Sequence, residues 1–125
     1  MRCMRHCLKF RVDAALLATV LLSGSGCRNP GNSPDAALVE KSIADLKAQS
    51  ELLDAMGLGP EAVVVTHVGG VYGDTLSGRE RWVETYARLP EVVRRRLVLE
   101  NDDNRYDVAD VLWINERCGV PLVFD

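Results

Sequence analysis

Three residues of metal-ligand type stand at matching places in the chain. His67 follows "AVVVT", Glu100 follows "RLVL" and Asp125 follows "VPLVF". Imidazole nitrogen and carboxylate oxygen are donors that Zn²⁺ and Mn²⁺ take from proteins. Each residue closes a short aliphatic run, the composition of a strand buried on both faces. Neighbouring parallel strands would bring the three side chains to one edge of a sheet, where α/β folds build their active sites. Plainer readings stand beside this one. His67 would be an ordinary loop residue. Glu100 would begin the polar turn "NDDN", with Asp102 or Asn104 capping the next helix. Asp125 would be a terminal residue with no role. A ligand type at the end of every run favours a site, because the three reinforce one another.

The stretches between these runs are helical in pattern. In "NSPDAALVEKSIADLKAQSELLDAMGLG", Leu38, Val39, Ile43, Leu46, Leu53 and Met56 recur near helical spacing. Asn32 or Ser33 can cap it, Pro34 or Asp35 suits its first turn, and Gly57 suits the C′ position. "VGGVYGD" is a loop. "LSGRERWVETYARL" places Trp82, Val83, Tyr86 and Leu89 on one side, and Pro90 opens a short turn, "PEVVRRR". "DVADVLWINERCG" is the next helix, with Val108, Val111, Leu112 and Cys118 inward and Gly119 at its end. Helices alternating with three strands predict a parallel α/β sheet with right-handed crossovers. Two architectures fit: an open doubly wound sheet, or part of a (β/α)8 barrel. A barrel needs about 200 residues or more, and three strands cannot close one.

The chain has 125 residues and 47% hydrophobic residues, enough for one small domain with a core. Its net charge of −3 is unevenly spread. Residues 1–31 carry five Lys/Arg against one Asp, whereas residues 32–125 carry ten against seventeen Asp/Glu. No basic nucleic-acid footprint is visible in that balance. The first segment also differs in pattern. Arg2, Arg5, Lys9 and Arg11 precede "AALLATVLL" and then "SGSGC", the basic–apolar–small layout of a secretory signal. The run is too short to span a bilayer as a helix. A lipoprotein signal would place an aliphatic residue three before Cys27, and Gly24 stands there. Residues 1–31 therefore read as a signal-like or misread start, and residues 32–125 as the domain.

Other candidates carry less. Cys3, Cys7, Cys27 and Cys118 do not form a zinc-finger spacing, and one cysteine in the body argues against a disulfide framework. "HVGGVYGD" fits neither phosphate-loop pattern. Arg94–Arg96 reads as a solvated helix end rather than a phosphate contact. Trp82, Tyr86 and Trp113 read as helix packing. No Ser/His/Asp set exists, because His67 is the body's one histidine.

The runs "NSPDAALVEKSIADLKAQSELLDAMGL", "VVVTHVGGVYGD", "RLVLENDD" and "GVPLVFD" together resemble the UV damage endonuclease family, over Asn32 to Asp125. That resemblance implies a TIM barrel, here a partial one of about three parallel strands alternating with helices. It implies a DNA repair nuclease that nicks immediately 5′ to UV photoproducts using clustered divalent ions, Mn²⁺ foremost, with Zn²⁺ or Mg²⁺ as the other candidates. The implied ligands are His67 of "THVGG", Glu100 of "LEND" and Asp125 of "PLVFD". No residue is implied as a catalytic acid or base. The implied partner is damaged double-stranded DNA, acted on by a cytoplasmic monomer with no stable protein partner. The family's His-Pro-x-Gln-like segment is missing upstream, where "SGSGCRNPG" stands. Its further histidines, lysine and glutamate are missing downstream. The expectation is the middle of such an enzyme, joined to an unrelated start and inactive by itself. Two other readings stay open: a sugar-isomerase-like barrel metalloenzyme, and a small exported α/β binding module.

Overall fold

Two short runs of β-branched and aliphatic residues, "VVVT" and "LVLE", make the centre of the sheet. The computed structural model describes residues 9–10, 36–102 and 104–124. In chain order these form β1 (Lys9–Phe10), α1 (Ala36–Ala55), β2 (Val63–Thr66), α2 (Thr75–Arg88), α3 (Glu91–Arg94), β3 (Leu97–Glu100), α4 (Val108–Cys118) and β4 (Leu122–Val123). The strands lie in the order β1-β2-β3-β4, and every pairing is parallel. This is the partial barrel sheet expected, with one addition. The two-residue β1 comes from the segment that reads as signal-like, and it sets Lys9 opposite Val63. Among the described residues, no helix is long and apolar enough to cross a membrane.

Strand alternation decides which residues meet the helices. Val64, Leu97 and Leu99 belong to the core with Leu46 and Leu53 of α1, Tyr86 of α2, Val93 of α3, and Val111 and Ile114 of α4. Val65 and Val98 are also buried, and they stand opposite each other in register. They lie outside that core, on the sheet's other face. Each fully buried Val, Leu or Ile contributes roughly 1.5–3 kcal/mol.

In α1, Ile43, Leu46, Ser50 and Leu53 repeat at helical intervals on the core face. The Ser50 hydroxyl is fully buried and donates to the Leu46 carbonyl at 2.8 Å. The helix ends as expected at Gly57, whose φ of +70° favours glycine. Its N–H donates to Asp54 and the next, Leu58, to Leu53, which satisfies two end carbonyls. Met56, expected on the apolar stripe, is exposed beyond this end. The expected caps between residues 32 and 35 lie outside the described residues.

Two expectations for α4 need correction. Its cap is Asp107, not Asp102 or Asn104: Asp107 accepts from the Asp110 N–H at 3.0 Å, and Asp110 accepts from the Asp107 N–H at 3.1 Å. Asp102 instead closes its own turn, accepting from the N–H groups of Asn104 and Arg105. Val108 and Leu112 face outward, and Val111 and Ile114 fill the core. Periodicity finds a stripe, but these four residues offer two, and the sheet selects one. Gly119, with φ +74°, ends the helix as expected.

Arg96 is not solvated as its run implies. Only 5% exposed, it donates to Asp54 Oδ1 and to the carbonyls of Leu58, Gly59 and Ala62. It ties the end of α1 to the entrance of β2. The Arg96 guanidinium, bonded to Asp54, holds that carboxyl below its ordinary value of 3.8. Arg94 pairs with Glu91, and Arg95 reaches Asp54. The aromatics pack as expected: Trp82 stacks on Tyr86, and the Trp113 ring meets the guanidiniums of both Arg79 and Arg117.

Candidate metal centre

Register brings His67 and Glu100 together. Val65 stands opposite Val98 and Thr66 opposite Leu99, so the next residues along are His67 and Glu100. Both continue the alternation of Val65 and Val98, away from the helices. The two side chains are thereby delivered to one face at the C-terminal ends of adjacent strands.

His67 Nε2 lies 3.1 Å from Glu100 Oε2. The two side chains are unequally sheltered, 29% exposed for His67 and 7% for Glu100. Despite the short separation, Oε2 is buried with no hydrogen-bond partner. A buried polar atom left unpaired costs about 1–3 kcal/mol, and more when charged. This oxygen thus stands within ion-pair distance of the imidazole, yet without the alignment of a hydrogen bond.

A shared cation accounts for such a pair. Donors about 2.1 Å from one ion stand about 3.0 Å apart at right angles and about 3.4 Å apart at a tetrahedral angle. The observed separation falls between those values. A neutral imidazole nitrogen and a carboxylate oxygen also suit Zn²⁺ or Mn²⁺. The donor set fits the group, but two donors do not make a complete site. Among the described residues, no group of three His, Cys, Asp or Glu side chains is placed to hold a metal ion. Asp125, the third expected ligand, lies outside the described residues. Val123, two positions before it, stands opposite Glu100.

Two further residues in the segments after β2 and β3 were not singled out by sequence. Asn101, directly after Glu100, has a buried side-chain oxygen with no hydrogen-bond partner. It reads in sequence only as part of a polar turn. Tyr72 adopts φ +42°, unusual for a residue other than glycine. Its position inside "GGVYGD" was the available signal, since neighbouring glycines mark a backbone that turns sharply.

Comparison with known proteins shows the family to which the chain belongs. The family model described as UV-endonuclease UvdE matches residues 31–125. A UV DNA damage endonuclease of Bacillus velezensis is 38% identical over 93 residues, covering 74% of this chain and 29% of that protein. A UV-damage endonuclease of Neurospora crassa is 40% identical over 97 residues, covering 74% of this chain and 15% of that protein. The crystal structure of SacUVDE superposes with a TM-score of 0.70 at 40% identity, over 75% of this chain and 32% of that one. The chain thus spans less than a third of the length of the relatives it matches.

Proposed function

From its membership of the UV-endonuclease UvdE family, we propose that this chain contributes part of the metal centre of a DNA repair endonuclease. The substrate is damaged double-stranded DNA, nicked immediately 5′ to a UV photoproduct by a cytoplasmic, monomeric barrel. The observation that carries this reading is the His67–Glu100 pair, 3.1 Å apart with Oε2 buried and without a hydrogen bond.

Each residue has a distinct part. Glu100 supplies an anionic oxygen on a rigid strand. His67 supplies a neutral nitrogen from the start of the following loop. Asp125, the second carboxylate that the family resemblance implies, lies outside the described residues. Divalent ions, Mn²⁺ foremost, supply Lewis-acid charge for the phosphoryl and leaving oxygens and lower the pKa of water. The protein's residues fix where that charge sits relative to the strand to be cut. Because a complete barrel has more strands than these, further ligands and the DNA-binding surface come from other segments of the fold.

A graft tests this. Residues 31–125 of this chain replace the matching segment of the Bacillus velezensis relative, and the chimera is given a labelled duplex with one photoproduct plus Mn²⁺. The expected result is a nick immediately 5′ to the lesion, lost with EDTA and lost in His67→Ala or Glu100→Ala. A folded chimera that nicks equally well with either substitution overturns the assignment.

A further inference from the structure

The two members of the pair are not equally fixed. Glu100 ends a fully buried strand with all four residues enclosed, so its backbone and burial set its direction. His67 stands just after β2, at the start of the following loop, and is 29% exposed. It is therefore less enclosed than Glu100, and the course of the loop bears on where its ring sits.

That loop is gripped from α2 by Arg81. Arg81, one turn and a half into α2, sends Nη2 to the Val71 carbonyl at 2.8 Å and to the Tyr72 carbonyl at 3.4 Å. Its guanidinium carbon lies 5.9 Å from the centre of the Tyr72 ring. Those carbonyls belong to a backbone that does not relax into that shape unaided. Gly69 has φ +95°, Tyr72 +42° and Gly73 +107°. A left-handed tyrosine costs of order 1–3 kcal/mol and persists where its surroundings impose it. The Tyr72 ring in turn lies on Gly70, where a Cβ would come within 2.4 Å of the ring. Contacts run without a break from Arg81 to Tyr72 to Gly70, three residues after His67. Asp74 anchors the loop's other end, accepting from the Ser77 N–H at 2.9 Å and the Ser77 hydroxyl at 2.7 Å.

We infer that Arg81 is a positioning residue for His67: by clamping the carbonyls of Val71 and Tyr72 it folds the loop onto Gly70 and fixes the imidazole beside Glu100. The effect on ion binding rests on the metal-centre reading, whereas the effect on the ring does not. One nitrogen, Nη2, reaches both carbonyls while the guanidinium also lies near the Tyr72 ring, and an ammonium on a shorter side chain does not reproduce the two together. Arg81→Lys keeps the charge and loses that geometry. Outer residues that orient a metal-ligating histidine typically change affinity by about 10–100-fold.

The test uses the whole chain, metal-free, at pH 8, with His67 ring resonances assigned by their loss in His67→Gln. Arg81→Lys should shift and broaden them toward a free imidazole, while the strand amides of β2 and β3 keep their shifts. Unchanged ring resonances overturn the proposal. If Arg81→Lys does not fold, Tyr72→Asn, which tolerates the left-handed backbone, is expected to move the same resonances, and unchanged ones overturn the proposal equally. Mn²⁺ titration of the same samples separates the two readings. Weakening by about 10-fold or more in Arg81→Lys supports both. Binding lost in His67→Gln but unchanged in Arg81→Lys overturns positioning and leaves the metal site standing. Binding unaffected by His67→Gln overturns the metal site, and the ring resonances alone then judge Arg81.

Discussion

The hydroxyl of Tyr106 occupies the place where a side chain on Gly78 would begin: a Cβ on Gly78 would lie 2.0 Å from it. Tyr106 is fully buried, and its hydroxyl has no hydrogen-bond partner. The loop after β3 thus packs directly against α2. Gly78→Ala should cost about 1–3 kcal/mol through overpacking. Tyr106→Phe should restore most of that in the double variant, and alone should change stability by less than about 1 kcal/mol, because the hydroxyl it removes is unpaired. Urea unfolding of the four chains reads this as a cycle. Additive losses would contradict the contact.

The capping box of α4 is a separate contribution. Asp107→Ala removes one side of it, and a cap of this kind is worth about 1 kcal/mol. Asp102→Ala, in the turn expected to supply the cap, should leave α4 intact. Amide exchange across Val108–Cys118 distinguishes them: faster exchange in the first turn is expected for Asp107→Ala alone.

Arg96 and Asp54 give a dependence on acidity. The folded chain holds the Asp54 carboxyl below its ordinary value of 3.8, first through its bond with Arg96. A depressed carboxyl adds stability that is present above that ordinary value and lost as pH falls through the folded one. Asp54→Asn should therefore be less stable than the parent at neutral pH, and the gap should close as pH drops below 3.8. Arg96→Met should cost more, on the order of 3 kcal/mol, because it removes the buried guanidinium that Asp54 and the carbonyls of Leu58, Gly59 and Ala62 share. Thermal unfolding from pH 7 to pH 3 checks both. A gap that widens on acidification would contradict the assigned direction.

Particular residues mark how much could be read before the structure. The strands were legible because "VVVT" and "LVLE" are too short and too β-branched to be helices, and their common termination in ligand types located His67 and Glu100. Gly57 and Gly119 were legible because each follows the last apolar residue of a periodic stretch. Arg96 was not, since its burial depends on carbonyls at Leu58, Gly59 and Ala62 that only the folded chain turns toward it. The exposure of Val108 and Leu112 was equally hidden, because local periodicity cannot say which stripe faces a sheet. Asp107 was obscured by the carboxylates and amides that precede it.

On the proposed metal-centre reading, Glu100 carries a cost that a bound ion repays. Its buried oxygen, 3.1 Å from His67 Nε2 but without a hydrogen bond, should weaken the metal-free fold. Glu100→Gln should therefore melt no lower than the parent in EDTA, and it should lose the upward shift that Mn²⁺ gives the parent. A metal-free midpoint well below the parent's would assign Glu100 a structural role instead.

The most direct measurement of the central claim is Mn²⁺ binding followed by electron paramagnetic resonance, on the whole chain and on Glu100→Gln and His67→Gln. Binding by the parent, weakened in each variant by at least about 10-fold with the fold retained, is the predicted result. Equal binding by all three, or a parent that takes up no Mn²⁺, would contradict the claim that His67 and Glu100 form one metal centre.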